Sequence, residues 1–456
     1  MKKKETNQKH TKRVKKAAGM AVAVLLTGAL AACGGRTDNQ EGQRMAENQE
    51  VVRISAKQRD NGDGTMTSVI AEYPTAEKLD QTLMQGVNHL AYDMAQQLTE
   101  AGGNYFFSPY SISSALTLLD NAAEGETKAQ MEAVLGITDI ENWNMQLAYY
   151  MDMAQPEEAK ITSANSLWFD MQFTPSEQAY TQYLPLVEFY YDAQLYQADF
   201  QNAPGETADR INEWIETETG GMICDYLSDV ERDTVLALFN AVYFYGEWSA
   251  PFMAQMTIQE VFHGAQGDTT VDMMHQSELW LSYYEQGDLR GISLPYGDGS
   301  KVMNVLLPAD GSGATAAELF VALSEEEKNA FLQNVMSAES SWVEMLQLPK
   351  FSMNYKVGDF KGVLESLGMT DAFCAGVAQF PGIGDVYVSG AGHMAVLEVD
   401  EMGSRAAALT EMMMKNCAVV QEENAVRFMV DQPFLFFIQD KETGMILFMG
   451  QVNDLE

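Results

Sequence analysis

Four side chains have the types needed for nucleophilic catalysis: Ser108, Ser111, Asp120 and His393. A serine hydroxyl activated by an imidazole, itself oriented by a carboxylate, would attack an acyl centre. The surrounding sequence does not support that chemistry. No Gly-x-Ser-x-Gly turn presents a serine, and no Gly-rich loop follows a strand to cradle phosphate. Five scattered histidines show no metal-ligand spacing; His10 lies near the N-terminus and His263 in a strand or turn, with no partner expected beside either. Cys33, Cys224, Cys374 and Cys417 suggest neither a metal site nor a disulfide framework. The expectation is therefore no enzyme, no cofactor and no metal, with His393 as a packed hydrogen bonder.

A different chemistry is suggested by Leu397 to Val419, LEVDEMGSRAAALTEMMMKNCAV. Val396, Leu397 and Val399 are strand formers, and Gly403 interrupts them. Ser404, Ala406, Ala408 and Thr410 then fall on one side of a period-2 trace, all small. Arg405, Ala407, Leu409 and Glu411 fall on the other, with both charges. Ala and Gly are poor strand formers, so the segment has little reason to hold itself as a strand. Its small face would nevertheless let it slide between two existing strands. On composition alone, an Ala-rich helical turn after a short loop is an equal reading.

The elements that must position these residues begin after a leader. Lys2 to Lys4, Lys9, Lys12, Arg13, Lys15 and Lys16 precede the apolar run Ala17 to Leu30, closed by Leu30-Ala31-Ala32-Cys33. That is the build of a secretory signal. Its last four residues resemble a bacterial lipobox, which implies removal of residues 1–32 and a lipid on Cys33. An ordinary signal peptide cut near Ala32, or a retained anchor, is the other reading. Without residues 1–32 the chain has 20 basic and 64 acidic residues, a formal charge of −44. Such a chain is a poor partner for nucleic acid or anionic lipid surfaces. Residues 33–75 are polar and read as a flexible tether, with short extended patches at Val51-Val52 and Ser68 to Ala71.

Residues 76–456 read as one mixed domain; the chain's 46% hydrophobic residues exclude wholesale disorder. Periodicity predicts a helix over 78–98, ended by Gly102-Gly103. Asn104 to Phe107 predicts a short strand, and Ser108-Pro109 starts a helix with Ile112 to Leu119 as its apolar stretch. A second helix follows Gly125. Strands are expected at 162–169, around 193–198, at 235–244, as a pair within 291–308 joined by Asp298-Gly299, and at 343–351. Helices are expected at 176–184, 208–219, within 317–336 and at 363–367. Val235 to Phe244 reads as a strand buried on both faces, with Asn240 inside it as a satisfied hydrogen bonder.

Glu401, Met402, Gly403, Ser404 and Ala406 to Ala408 resemble the hinge of the serpin family. RFMVDQPFLFFIQD and GMILFMGQV resemble its C-terminal signature through Asp431, Pro433, Phe434, Phe436, Phe448 and Gly450. The middle of the chain is similar at Asn240, Ala241, Tyr243, Phe244, Gly246, Trp248 and Phe252. The order strand, Ser-Pro, helix, Glu-Gly-x-Thr over 104–131 is similar too. Departures are Asn121, where the family commonly has Gly, and Asp272, where Pro is common. The resemblance covers nearly all of 76–456. It implies an α+β fold with a large central sheet, two further sheets, about eight to nine helices and an exposed reactive-centre loop at about 401–424.

The function implied by the resemblance is a monomeric serine-protease inhibitor that acts as a suicide substrate. The protease cuts the loop and forms an acyl-enzyme; Gly403 and the residues after it then enter the large sheet as a strand, carrying the enzyme along and distorting its catalytic site. In this scheme Ser108, Ser111, Asn240 and His393 correspond to the polar cluster that governs whether two central strands part. Trp248 corresponds to the aromatic where insertion begins. The inward hinge face carries no charge or Pro to oppose burial, and Met412 and Met414 continue it. The alternative is a non-inhibitory surface lipoprotein of the same fold that acts as a binding module. A forward count from Glu401 puts the cut between Cys417 and Ala418, whereas a backward count from Pro433 puts it near Glu422. The forward count is preferred because the inserted length must match the neighbouring strands, with Lys415 and Met414 as competitors. Cys417 suits an elastase-like pocket; a cysteine protease is the other target class.

Overall fold

The computed structural model describes residues 52–54, 58–60, 66–68, 73–153, 155–357, 359–388, 391–404 and 425–456. Three short strands come first: β1 (Val52–Ile54), β2 (Gln58–Asp60) and β3 (Met66–Ser68). Helix α1 (Thr82–Ala101) buries Leu83, Val87, Leu90, Ala91, Met94 and Leu98. It starts later than its periodicity suggests, because the Asp80 carboxylate accepts from the Thr82 N–H and so favours a turn there. β4 (Tyr105–Phe107) leads into α2 (Pro109–Asp120), whose first turn is capped by Ser108 Oγ accepting from the Ser111 N–H. α3 (Gly125–Leu135) and α4 (Ile140–Asp152) follow. In α4 buried Asn144 and Gln146 interrupt the apolar stripe of Trp143, Leu147 and Tyr150, which hides the helix in the sequence.

Next come β5 (Ala159–Asp170), a π-wound turn at Ala179–Tyr183 that continues as α5 (Leu184–Tyr190), β6 (Gln194–Ala198), α6 (Pro204–Glu218) and β7 (Leu236–Glu247). The helix expected at 176–184 is thus shifted toward the C-terminus; Ser176 stays outside it, and its Oγ accepts from the Ala179 N–H. β8 (Ile258–Gly264), β9 (Gly267–Gln286), β10 (Leu289–Tyr296) and β11 (Lys301–Pro308) precede α7 (Ala316–Val321) and α8 (Glu325–Ser337), two helices opened by capping boxes. The chain then runs through β12 (Ser340–Pro349), β13 (Phe351–Lys356), α9 (Phe360–Ser366), β14 (Met394–Val399), β15 (Gly403–Ser404), β16 (Val426–Met429), β17 (Phe434–Asp440) and β18 (Ile446–Val452). The single strand expected at 343–351 is two. The chain changes sheets at Lys350, whose N–H is held by the Asp272 carbonyl.

The large sheet has seven strands in the order β1-β6-β5-β7-β15-β14-β13. The stretch read as tether therefore does more than space the domain, since β1 pairs antiparallel with β6 and β2 with β3. The two smaller sheets expected beside the large one are joined in the order β16-β12-β9-β10-β11-β17-β18-β4, with β8 also on β9. Strand β9 makes them continuous: it pairs with β8 and β12 up to Ser282 and with β10 from Ser282 onward. Phe106 stacks between Phe436 and Phe448 where this sheet meets the core. Among the described residues no helix is long and apolar enough to cross a membrane.

Candidate functional site: the slot between two sheet strands

β15 is the only element joining β7 to β14 among the described residues. Gly403 and Ser404 lie opposite Glu247 and Gly246 on β7, and Ser404 lies opposite Val399 on β14. Beyond those two residues, no ladder joins β7 directly to β14 among the described residues. A cavity of about 380 Å³ opens there, lined by Leu236 to Ala241 of β7, His393 and Met394 at the start of β14, and Ser111, Leu116 and Leu119 of α2. This corrects the expectation that β7 is buried on both faces: Leu236 to Asn240 are half-buried, because they border the cavity.

The polar cluster ties each wall of the slot to α2. The Ser111 hydroxyl donates to Asn240 Oδ1 on β7. Asn240 Nδ2 donates to Asn165 Oδ1 at 2.7 Å and to Ser163 Oγ at 3.2 Å, both on β5. On the other wall the Ser108 N–H donates to His393 Nε2 at 3.0 Å, which leaves the ring proton on Nδ1. Burial pushes the His393 pKa down to about 3, so the imidazole is a neutral acceptor.

The same contacts dispose of a catalytic triad. The Ser108 hydroxyl donates to the Leu447 carbonyl at 2.7 Å, and a backbone amide occupies His393 Nε2. Asp120, at the far end of α2, pairs with Lys128 at 2.9 Å. Burial raises its pKa to about 6, although Lys128 opposes the rise.

Above the cavity, the residues leading into β15 are locked down. Trp248 stacks on Tyr296, ring centroids 4.4 Å apart. Its indole N–H donates to the Asp400 carbonyl at 3.0 Å, and its backbone N–H donates to the Met402 carbonyl at 2.8 Å. The Glu401 carboxylate is 2.9 Å from Lys350 Nζ and accepts from the Thr257 hydroxyl at 2.8 Å. Burial alone would raise the Glu401 pKa; the Lys350 and Thr257 hydrogen bonds outweigh it and hold it below the usual glutamate value. Asp400 Oδ1 accepts from the backbone N–H groups of Met402 and Gly403. Gly403 has φ of +151°, and a Cβ there would run into the Gly246 carbonyl. Ser404 is fully buried, its Oγ 2.6 Å from the Tyr296 hydroxyl.

Of the residues singled out in the sequence, Ser108, Ser111, Asn240 and His393 come together beneath the sheet, and Trp248, Glu401, Gly403 and Ser404 come together above the slot. Ala406, Ala407, Ala408, Thr410, Met414, Lys415, Cys417, Ala418 and Cys33 lie outside the described residues. Cys224 and Cys374 form no disulfide among the described residues. His263, expected to stand alone, has Asp268 2.8 Å from its Nδ1, because the β8–β9 hairpin sets the two opposite each other. Sequence reasoning missed Asn165, Tyr296, Lys350 and Thr257. Asn165 carried a usable signal, an Asn inside a strand-forming run, although its place opposite Asn240 is set by the β5–β7 register.

A family model described as serpin (serine protease inhibitor) matches residues 85–455. The chain is similar to an uncharacterized serpin-like protein of Thermococcus kodakarensis, 32% identical over 385 residues that span 82% of this chain and 86% of the relative. It is similar to the leukocyte elastase inhibitor of Xenopus tropicalis, 32% identical over 389 residues that span 82% of this chain and 99% of the relative. Its fold is similar to that of tengpin, a thermophilic serpin in its native state, with a TM-score of 0.75, 29% identity, and coverage of 85% of this chain and 98% of that one. With the match running almost from α1 to the C-terminus, the chain belongs to the serpin family of serine protease inhibitors.

Proposed function

We propose that this protein inhibits a serine endopeptidase as a suicide substrate, and that the slot between β7 and β14 receives the cut loop. The observation that carries this reading is the hinge geometry: β15 already pairs on both sides, and the cavity continues the same gap past it. The protease serine attacks the Cys417 carbonyl, the Ala418 amine leaves, and an acyl-enzyme remains on the new C-terminus. The freed segment lengthens β15 between β7 and β14. Each new ladder hydrogen bond adds about 1 kcal/mol net, and the inward Ala406, Ala408 and Thr410, being small, demand little room between the two strands. The uncleaved fold is thus held short of its most stable state by a kinetic barrier. Moving the enzyme along the sheet disorders its catalytic groups, and deacylation slows with the loss of orientation. Glu401, Gly403, Ser404, Ala406, Ala407, Ala408 and Thr410 act as the hinge. Ser108, Ser111, Asn240 and His393 set the resistance of the walls to parting, and Trp248 holds the upper end.

In this reading residues 1–32 are a lipoprotein signal, residues 33–75 a tether from lipidated Cys33 that also adds β1 to the large sheet, and residues 76–456 the rest of the inhibitory domain, held outside the cytoplasm and facing outward. The Xenopus relative's name, leukocyte elastase inhibitor, supports an elastase-like target. The test is to mix the full chain with a panel of serine proteases and look for a covalent, denaturant-resistant complex. Cleavage without a stable complex across the panel would replace this reading with the non-inhibitory one.

A further inference from the structure

We propose that the outer face of the nine-stranded sheet at Trp280 and Trp342 is a docking surface for the target protease, fitted by an apolar patch beside that enzyme's active-site cleft with basic side chains around it. This rests on the inhibitory reading above and adds a contact outside the loop.

Trp280 is 55% exposed, more than any other large apolar side chain described. It lies opposite Trp342 on β12, the two rings meeting edge to face with centroids 5.4 Å apart. The next pair along the ladder, Leu279 and Val343, turns toward the core, and Val343 is fully buried. Strand alternation therefore leaves the Trp pair on the solvent side, where a polar pair would serve the fold equally well. Trp is among the residue types most enriched where binding energy concentrates in interfaces.

Position identifies the occupant. β16 begins immediately after the loop, and Val426 pairs with Val343, the residue beside Trp342. β12 alone separates β16 from β9. Two strand spacings put Trp280 about 10 Å from the strand that receives the loop. The chain from Cys417 to Ala425 can span at most about 28 Å. An enzyme of ordinary globular size holding the bond after Cys417 reaches this face, and one holding a bond near Glu422 lies closer still.

Charge narrows the partner. Glu278 and Glu344 are exposed beside the pair, and the whole chain carries a formal charge of −37. Arg427, whose guanidinium lies 3.8 Å from Met345 Sδ, is the cation nearest in the ladder. An acidic rim around two indoles favours an enzyme that is basic around its cleft, and steers its approach.

The experiment uses the full detergent-solubilised chain and a basic elastase-like serine protease, both active and with its catalytic serine replaced by alanine. Binding of the inactive enzyme reads docking without acylation, so it is independent of whether trapping occurs. Trp280→Ser is expected to weaken this binding about tenfold, Trp280→Phe to keep most of it, and Trp342→Ser to behave like Trp280→Ser. With active enzyme the association rate should fall by the same factor while the number of inhibitor molecules consumed per enzyme trapped stays unchanged. The proposal is overturned if Trp280→Ser and Trp342→Ser, each checked for native thermal unfolding, bind within twofold of the parent. It is also overturned if the parent binds no tighter than a free peptide of residues 405–424, or if Trp280 instead mediates self-association in sedimentation without enzyme. A parent that docks yet forms no covalent complex would sink the inhibitory reading and leave the docking surface standing.

Discussion

The Tyr296 hydroxyl lies 2.6 Å from Oγ of Ser404, and both residues are fully buried. The bond fastens the first inward side chain of the hinge to the end of β10, under the ring of Trp248. Burial holds the Tyr296 pKa well above its ordinary value, so the phenol stays protonated throughout the working pH range. Tyr296→Phe would leave Ser404 Oγ buried without this partner, at a cost of about 1–3 kcal/mol. The expected result is faster amide exchange at Gly403 and Ser404, with β13 and β17 unchanged. Unaltered exchange at the hinge would show that the ladder bonds alone hold it.

Ala406→Arg tests insertion itself. Ser404 is already buried in β15 before cleavage, so the charge belongs at the next position of the face that insertion would bury, where an unpaired guanidinium would cost several kcal/mol. The variant should be cut at the same bond as the parent but released as product. The number of molecules consumed per enzyme trapped should rise at least about tenfold. Complex yield equal to the parent's on a denaturing gel would contradict insertion through this face.

How much of this could be read in the sequence depended on whether the signal was local. Ser108-Pro109 announced a helix start because a cap is a matter of adjacent residues. Gly403 announces a break for the same reason, but the turn falls on Asp400 to Met402 and Gly403 opens β15. That Ser108 also holds His393, far along the chain, is set by tertiary packing, and only the family resemblance pointed to it. Asn240 was legible as a buried hydrogen bonder; its partner Asn165 required the β5–β7 register. Lys350 reads as the end of the one strand expected at 343–351, and its real part, changing sheets while pairing with Glu401, depends on both sheets at once. The joining of the smaller sheets was invisible because it rests on the length of β9, whose two ends pair with different neighbours, and no local run of residues announces that.

His393 and Asp120 oppose each other in pH dependence. Burial depresses the His393 pKa from 6.5 to about 3. Between those values the unfolded chain binds a proton that the fold refuses, so stability is lost as pH falls. Asp120 is raised from 3.8 to about 6; the fold then holds a proton that the unfolded chain releases, and stability is lost as pH rises. From pH 4 to 6 the two contributions nearly cancel. Asp120→Asn should unmask the histidine, giving a stability that, relative to the parent, falls by about 1.4 kcal/mol per unit as pH drops across that window. His393→Gln should show the reverse slope. Denaturant unfolding at pH 4, 5 and 6 measures both, and parallel profiles for parent and variants would refute the assignment.

The leader makes its own prediction. If Cys33 carries the lipid, Cys33→Ala should leave the membrane fraction and appear in the soluble one, with inhibition unchanged. Equal membrane association of variant and parent would rule out attachment at that residue.

The cut site is the most exposed of these assignments, because two counts along the loop disagree. Counting from Glu401 places the bond between Cys417 and Ala418; counting back from Pro433 places it near Glu422. The inserted length has to match β7 and β14, whereas the return to β16 at Val426 runs as a loop and can vary. The hinge end is also the better-fixed origin, since Glu401 is held by Lys350 and Thr257 before the loop begins. Lys415 competes for a trypsin-like enzyme, and Met414 for one with a longer apolar pocket. A bond at either position would give a shorter inserted strand and favour turnover over trapping. Mass analysis of the C-terminal fragment released from the covalent complex decides among them: the expected fragment begins at Ala418. One beginning at Lys415, Asn416 or Glu423 would move the site. A Cys417 thiol at the bond also predicts loss of complex formation after mild oxidation and its recovery with reductant, and a Cys417→Ala variant should keep complex formation while losing that sensitivity.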